Sequence, residues 1–431
     1  MNLDRRAFLQ SLGVGAAGTL ALGAGVRAAE AGGPTAPPTL PAFDAAAPAA
    51  YWRAVRAHFP LRDAPLYLNC GGLGPTPQPV LDVMFKTMLR LQEHSETGYV
   101  LIEPAREIVA RFLGARADEI CFVRNATEAN SIVAAGLALR PGDEVIFESH
   151  AHPGGSFTWF NQAKERGVVV KLFDPDPAGP EANLALIRAL ITPRTKVIQV
   201  SHITCTTGLV FPVRAIAALA RERGVWFHID GAQAVGMIPV DLAAIGCDSY
   251  AVCGHKWLGG PHESGVFFLR RDRLEQVAVT GIGAHSGELP HLPGRLAYRA
   301  ETARHEYGTR NAATMVALAE AVCFQERIGV ARIAAHGRAL ATHLLTELAE
   351  IDGITVLTPR HEELRAAMTT ITHARADGQK FFTYLLKAHG LRCRPVTEQK
   401  LDAVRISTHV FNSVADCERI VAAVRASARE L

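Results

Sequence analysis

A lysine stands just beyond the end of a short apolar run. The run covers residues 249–252, Gly254 interrupts it, and Lys256 follows within the stretch CGHKWLGG. The aromatic and β-branched residues of the run are typical of a buried strand. Parallel α/β proteins place their ligands at the carboxyl ends of such strands. Lys256 is therefore either a solvated surface cation, as most lysines are, or an amine held in a pocket for chemistry.

Polar residues follow other apolar runs in the same way. Asp230 comes directly after the run WFHI, and a buried carboxylate there needs a partner unless it caps a helix. The stretch NATE, residues 125–128, opens a helical pattern. Unpaired N–H groups at a helix start attract phosphate, although Asn125 or Thr127 acting as an ordinary cap is the plainer interpretation. His150 and His152 form a possible metal pair, but no third ligand is evident, so no metal site is predicted.

The elements that must position these residues alternate between short apolar runs and helix-length patterns. This alternation predicts a wound, largely parallel sheet. The predicted strands cover residues 120–123, 144–147, 168–173, 196–200, 225–229, 249–252 and 265–269. The predicted helices between them include residues 128–139, 184–191, 213–223 and 242–245.

The pattern changes near residue 311. Long amphipathic helices at 313–326 and 331–350 are followed by mixed segments that end in a helix at 415–429. The change predicts a second, smaller α+β domain. We expect a large domain of residues 65–310 and a small domain built from residues 50–64 and 311–431.

Composition describes an ordinary globular protein. The 431 residues are 48% hydrophobic and 20% charged, which suffices for two domains and a large core. A formal net charge of +3 is too small in so long a chain to indicate a nucleic-acid partner.

The first 28 residues predict an export signal. Arg5 and Arg6 precede a Gly- and Ala-rich apolar run at 11–26, and a small-residue cleavage site follows. The paired arginines and the Phe-Leu after them resemble a twin-arginine (Tat) signal, which carries folded proteins across the bacterial inner membrane. We therefore expect a signal peptide at 1–28, handled by the Tat translocase, then a disordered leader at 29–49 and a periplasmic protein.

A retained membrane anchor is the alternative interpretation of that segment. The apolar run has 16 residues and is rich in glycine, which is short for a bilayer span. No other stretch reaches the length that a spanning helix needs, so the mature form is not expected in a membrane.

The eight cysteines contain no CxxC pair, which argues against a zinc site and a disulfide scaffold. Most lie in apolar runs and are predicted to be buried thiols. They are residues 70, 121, 205, 247, 253, 323, 393 and 417.

One chemistry would use several of these residues together with Arg405. A lysine amine can bond the aldehyde of pyridoxal phosphate, whose ring nitrogen needs a carboxylate and whose phosphate needs donors. A flat group must cover the ring, and a cation must bind the substrate carboxylate. The residues that can supply these functions are Lys256, Asp230, Thr127, His150 and Arg405.

Residues 228–270, HIDGAQAVGMIPVDLAAIGCDSYAVCGHKWLGGPHESGVFFLR, resemble the class V aminotransferase family of fold type I pyridoxal-phosphate enzymes. The resemblance covers about residues 67–429. It implies a mostly parallel seven-stranded sheet wrapped by helices, with a smaller α+β C-terminal domain. The family includes cysteine desulfurases and isopenicillin N epimerase, and the stretches YLNCGGLGPTPQPVL and GTRN look most like the epimerase branch.

The resemblance also implies roles for single residues. Lys256 matches the Schiff-base lysine that also moves the substrate α-proton, and Asp230 matches the partner of the ring nitrogen. His150 matches the stacking histidine, with His152 as the alternative. Arg405 matches the arginine that binds the substrate carboxylate. The other implied cofactor or substrate contacts are Gln233, Thr127, Ala126, His255, Cys253 and Asn69, together with Thr309, which implies a homodimer with shared sites.

Departures from the family pattern narrow the expected reaction. Cys253 stands where the family often has a phosphate-binding serine, and Cys205 where desulfurases have an asparagine. The segment between Arg394 and Arg405 lacks the nucleophilic cysteine of desulfurases, and Cys393 is expected in the core. A persulfide-forming desulfurase is therefore disfavoured.

We expect an enzyme that transaminates or epimerises an amino acid, a small-molecule substrate whose identity the sequence leaves open. Desulfurase-like C–S lyase chemistry, a β-elimination, is the first alternative. A non-catalytic pyridoxal-phosphate-binding protein is the second, and the presence of Lys256, Asp230 and Arg405 argues against it.

Overall fold

The computed structural model describes residues 39–288 and 296–431. Residues Leu40–Leu431 form one compact unit. The proposed export signal lies outside the described residues. Within the described ranges, no helix is both long and apolar enough to cross a membrane.

Twelve α-helices and thirteen strands are described in these ranges. The helices are α1 Pro48–Arg56, α2 Gln78–His94, α3 Ile102–Phe112, α4 Ala126–Gly136, α5 Pro153–Arg166, α6 Pro180–Leu190, α7 Val213–Arg223, α8 Leu242–Ile245, α9 Ala312–Ile328, α10 Val330–Ala349, α11 Gly378–His389 and α12 Val414–Glu430. The strands are β1 Leu66–Tyr67, β2 Ile120–Val123, β3 Glu144–Glu148, β4 Val169–Phe173, β5 Thr195–Ser201, β6 Trp226–Asp230, β7 Ser249–Cys253, β8 Gly265–Leu269, β9 Ile354–Val356, β10 Met368–His373, β11 Leu391–Arg392, β12 Arg394–Val396 and β13 Ala403–Ser407.

The central sheet has seven strands in the order β2-β8-β7-β6-β5-β3-β4. Strands β4, β3, β5, β6 and β7 run parallel, and β8 runs antiparallel to both of its neighbours. The predicted fold class is confirmed, and each predicted strand agrees with the observed one to within one residue at either end.

Both faces of the central sheet are covered, and side-chain alternation divides them into two cores. Ile198, Ile229 and Tyr250 belong to the core that includes helices α3, α7 and α9. Val197 and Ala251, their neighbours in sequence, belong to the core that includes α4 and Trp159 of α5. Because successive strand residues point to opposite faces, a strand buried on both sides is apolar throughout.

The C-terminal part forms a second layer of structure. Strands β12-β13-β10-β9 make a four-stranded antiparallel sheet, and β1 pairs in parallel with β11. A third core joins these strands to α10, α11 and α12. The mixed segments expected from the sequence are these short strands and α11. The division into domains at about residue 311 stays a prediction.

Candidate active site

The carboxyl ends of three parallel strands lie side by side. Ser201 at the end of β5 pairs in register with Asp230 at the end of β6, and Asp230 pairs with Ala251 of β7. A cavity of about 280 Å³ opens at this edge. Eight of the predicted site residues line it: Ala126, Thr127, Asp230, Gln233, Cys253, His255, Lys256 and Arg405.

The turn that carries Lys256 is held rigidly. The neighbouring Trp257 is fully buried, and its indole N–H donates to Gln233 Oε1 at 2.7 Å. The Trp257 carbonyl accepts from Gln325 Nε2 and lies 2.9 Å from His409 Nε2. Lys256 itself is half-buried, and within the described ranges its Nζ has neither a hydrogen-bond nor an ion-pair partner. The amine therefore faces the cavity from a fixed backbone.

Asp230 presents its carboxylate from the end of β6. Oδ1 accepts from the Ala232 N–H at 3.0 Å, and Oδ2 accepts from Asn130 Nδ2 at 3.0 Å. Asp230 is only 6% exposed, so these two bonds compensate part of the cost of burying the carboxylate.

Helix α4 begins at the opposite side of the cavity. Asn125 caps it by accepting from the Glu128 N–H at 3.0 Å, so Asn125 is the ordinary helix cap that the sequence suggested. Ala126 and Thr127 in the first turn still line the cavity, where N–H groups and the helix dipole favour an anion. Burial raises the pKa of the Cys253 thiol, which lies 3.5 Å from the Ala126 nitrogen and stays neutral.

The structure places His152, and not His150, in the cavity wall. His152 caps helix α5 by accepting from the Gly154 N–H at Nδ1, 3.0 Å away. Burial, and next the charge of Lys256, lowers the pKa of His152, which favours a neutral ring. His150 lies 3.0 Å from Thr206 Oγ1 instead. Of the two candidate histidines, the alternative one, His152, is therefore the one that lines the cavity.

Arg405 closes the cavity from β13. It is 1% exposed, and its guanidinium donates to the Cys205 carbonyl at 2.5 Å and to Asn69 Oδ1 at 3.0 Å. Its Nε is buried without a partner, and burial lowers the pKa of Arg405 to about 10. Asn69 orients Arg405 here and does not itself line the cavity.

Gln233 connects the lysine turn to the chain before α2. Besides accepting from Trp257, it donates through Nε2 to the Gly71 carbonyl at 2.9 Å. A Cβ at Gly71 would lie 2.9 Å from both Gln233 Oε1 and Arg405 Nη2, so a larger residue would displace one of these side chains. This close approach was not predicted from the sequence.

Thr309 lies away from this cavity. It lines another one, of about 490 Å³, and its Oγ1 is 3.2 Å from the Tyr99 hydroxyl. Its predicted contact with the cofactor of a second subunit stays a prediction.

The segment between β12 and β13 borders the site but carries no thiol. Arg394 lines the cavity and pairs with Glu398, while Gln399 Nε2 donates to the Ser149 carbonyl. Cys393 is buried in the C-terminal core, and burial raises its pKa to about 12. All eight cysteines are free, and only Cys323 is not fully buried.

These groups fit pyridoxal phosphate. An amine, a carboxylate, a helix start with its N–H donors, a neutral imidazole and a buried guanidinium face one cavity. His255 contributes a buried Nδ1 with no partner, and burial, followed by the charge of Lys256, lowers its pKa to about 4. Within the described ranges, no group of three acidic, His or Cys side chains could hold a metal ion.

Comparison with known proteins agrees with this geometry. The family model described as aminotransferase class V matches residues 75–420. Isopenicillin N epimerase from Amycolatopsis lactamdurans is 31% identical over 394 residues, which is 87% of this chain and 98% of that protein. A probable cysteine desulfurase from Methanothermobacter thermautotrophicus is 32% identical over 70% of this chain and 76% of its own length.

Solved structures share the fold. The apo structure of cysteine desulfurase from Thermococcus onnurineus superposes with a TM-score of 0.79, at 24% identity, over 88% of this chain and 98% of that one. The cystine C–S lyase C-DES superposes with a TM-score of 0.78 at 23% identity, over 85% of this chain and 98% of that one.

Proposed function

The chain belongs to the class V aminotransferase family of pyridoxal-phosphate enzymes, and from this premise we propose that it transaminates or epimerises an amino acid. The observation that carries the proposal is the convergence of Lys256, Asp230 and Arg405 on one cavity. An amino acid bound there has its carboxylate at the guanidinium and its α-carbon within the reach of the amine.

The chain's own residues would hold the cofactor at four places. The start of α4 with Thr127, and His255, would bind its phosphate, and Asp230 would bind its ring nitrogen. His152 would cover the ring, and Lys256 would bond its aldehyde carbon. When bound, pyridoxal phosphate supplies an electron-withdrawing ring that makes the bonds at the substrate α-carbon easier to break.

Protein groups then perform the remaining steps. Arg405 binds the substrate carboxylate through paired N–H donors and fixes which α-carbon bond stands over the ring. Lys256 Nζ would take the proton from the substrate α-carbon and hold it until it is returned. Transamination and epimerisation both require this proton transfer, and they differ in the atom or the face that receives the proton back.

A C–S lyase is the second candidate, because several relatives are named as cysteine desulfurases. Elimination at the β-carbon needs the same α-proton transfer by Lys256 and no second nucleophile. Transfer of sulfur to a protein thiol is disfavoured, because Cys393 is buried and the segment from Arg394 to Arg405 holds no cysteine.

A product screen separates these reactions. The purified protein is incubated with single amino acids, with and without a keto-acid acceptor, and assayed for keto acid, ammonia, sulfide and inverted stereochemistry. Keto acid that depends on the acceptor, or an inverted α-carbon, supports the proposal when Lys256→Ala abolishes it. Sulfide or ammonia alone would favour the lyase, and no turnover of any amino acid by a cofactor-loaded protein would favour a non-catalytic binder.

We also propose a homodimer with shared sites. Phe85, Leu89 and Val100 are 59%, 63% and 83% exposed, which leaves apolar surface for a second copy. Thr309 would then complete the partner's site. Mixing Lys256→Ala with Thr309→Ala protein tests this, because one site of each mixed dimer has both native residues. Activity above that of either variant alone supports the sharing, and no recovery in verified mixed dimers contradicts it.

Export by the Tat pathway to the periplasm is a separate proposal that rests on the sequence of residues 1–28. Replacing Arg5 and Arg6 by lysine should keep a reporter fusion in the cytoplasm. Unchanged export of that fusion would contradict a twin-arginine signal.

A further inference from the structure

A row of buried polar side chains leads away from Asp230 into the core. Asn130 on α4, His228 on β6 and Ser249 on β7 are at most 1% exposed, and Trp226 on β6 is 7% exposed. Buried polar groups cost free energy unless each is hydrogen-bonded. The presence of four such side chains in the core therefore needs an explanation.

The row is a continuous chain of hydrogen bonds. Trp226 Nε1 lies 3.0 Å from Ser249 Oγ, which lies 2.8 Å from His228 Nδ1. His228 Nε2 lies 2.8 Å from Asn130 Oδ1, and Asn130 Nδ2 lies 3.0 Å from Asp230 Oδ2. None of these bonds is longer than an ordinary N–H···O contact.

The groups at the two ends of this row determine which atom donates in every hydrogen bond between them. An indole N–H can only donate, so Ser249 Oγ accepts from Trp226 and its single hydrogen is free to reach His228 Nδ1. A carboxylate accepts, so the Asn130 amide donates to Asp230 and turns its oxygen toward His228. His228 therefore carries its hydrogen on Nε2. Burial lowers the pKa of His228 to about 4, in keeping with this neutral form.

Helix α5 seals this chain from the other side. Gly155 lies so close that an added Cβ would be 3.1 Å from Asp230 Oδ2 and 3.3 Å from Asn130 Nδ2. Asn130 Nδ2 also lies 3.3 Å from the Gly154 carbonyl, which uses its second hydrogen. Hydrogen bonds in such a dry, aligned chain polarise one another in a single direction.

We propose that Trp226, Ser249, His228 and Asn130 are positioning residues that make Asp230 an obligate acceptor toward the ring nitrogen of the cofactor. This inference rests on the proposed function. With every donor aimed at its carboxylate, Asp230 retains its negative charge and leaves the proton on the ring. The hydrogen-bonded row thereby keeps the cofactor ring in its protonated, electron-withdrawing form without touching cofactor or substrate.

Other titratable groups around Asp230 act on the same proton. Lys256 and His152 face the cavity, Glu148 lies at the end of β3, and Tyr250 lies on β7. Substitutions in the hydrogen-bonded row leave all four of these residues in place. Comparing each variant with the wild type therefore isolates the effect of the row.

The test uses holoenzyme loaded with pyridoxal phosphate labelled with ¹⁵N in the ring. The variants are His228→Phe, which interrupts the chain, Trp226→Phe, which removes its first donor, and His228→Gln, which can restore an N–H near Asn130. His373→Gln is the matched control, because His373 is a buried histidine that lies 3.3 Å from the Ser427 carbonyl in the C-terminal core. The readout is the ¹⁵N resonance of the ring across pH, with circular dichroism as the folding check.

For His228→Phe we expect the resonance to move toward that of neutral pyridine, with the midpoint of its titration about one pH unit lower. Trp226→Phe should shift it less in the same direction, His228→Gln should recover most of the wild-type value, and His373→Gln should not change it. If His228→Phe does not fold, the milder Trp226→Phe decides. Wild-type midpoints in folded, loaded variants would overturn the inference, whereas wild-type protein that binds no cofactor would overturn the proposed function instead.

Discussion

Replacement of Gly74 by alanine should disable the enzyme although Gly74 contributes no functional group. The Gly74 N–H donates to the His255 carbonyl at 2.8 Å, which brings the chain before α2 against the lysine turn. A Cβ at Gly74 would lie 1.8 Å from the Lys256 carbonyl oxygen and 2.6 Å from its carbonyl carbon. Both atoms belong to the backbone, so no side-chain rotation relieves the overlap.

The size of the backbone shift that Gly74→Ala forces determines how much activity is lost. Real Cβ contacts do not fall below 3.0 Å, so an overlap at 1.8 Å requires a shift of at least 1.2 Å. A misplacement of about 1 Å at a reacting group can cost about 10²-fold in rate. If the lysine turn moves, kcat falls by about that factor. If the segment from Asn69 to Gly74 moves instead, Arg405 loses its Asn69 contact and KM for the amino acid rises.

The assay compares kcat, KM and the visible band of the bound cofactor in Gly74→Ala, with thermal unfolding to confirm the fold. Gly179→Ala is the matched control, because its Cβ would meet only His361 atoms at 3.9 Å or more. The control should match the wild type. A folded Gly74→Ala protein with kcat and KM within about threefold of wild type would refute the reasoning on close approach.

Three further changes test other parts of the site. Arg405→Lys should raise KM for the amino acid about 10- to 100-fold in steady-state kinetics, because a fork of charge-assisted bonds is lost, and an unchanged KM would contradict the role of Arg405. Burial raises the pKa of Glu148 to about 7 although hydrogen bonds from Ser201 oppose the rise. The folded state then holds this proton over a range where the unfolded state has lost it, so Glu148 removes stability as pH rises from about 4.5 to 7. Denaturant unfolding should show Glu148→Gln gaining about 3 kcal/mol relative to wild type across that window, and a pH-independent difference would contradict it. Cys393→Ser should leave turnover within about threefold, and a loss of about 10²-fold in a folded variant would show that the thiol takes part in the reaction.

The central sheet could be predicted because its strands are buried on both faces. Such strands are continuous apolar runs, and the runs at 120–123 and 265–269 coincide with β2 and β8. Helices α2, α3 and α5 were not predicted, and neither were the bounds of the C-terminal strands. Those strands have two to six residues, and only long-range pairing distinguishes them from loops.

The site residues that could be predicted are those whose own reactive or charged groups identify them. Lys256, Asp230 and Arg405 were named from the sequence, and all three line the cavity. The choice between His150 and His152 depends on how the chain turns after β3. Pro153 at the first position of α5 makes His152 the cap, and this His-Pro pair was the available signal.

Contacts between residues far apart in the chain could not be predicted, because no pattern in the neighbouring sequence indicates them. Gly74 touches Lys256, and Asn130 bonds Asp230 across 100 residues of sequence. A glycine that fits beneath a backbone and an asparagine that orients a carboxylate look ordinary in one sequence, because only packing brings their partners near.

The proposed function depends most directly on one bond, between the aldehyde of pyridoxal phosphate and Lys256 Nζ. Purified holoenzyme is reduced with borohydride, digested and mapped by mass spectrometry, with Lys256→Ala treated in parallel. We expect the visible band to disappear on reduction and the cofactor mass to remain on the peptide that contains Lys256, while Lys256→Ala keeps no covalent cofactor and loses at least about 10³-fold in turnover. A tag on any other lysine, or full activity of Lys256→Ala, would contradict the assignment of the site.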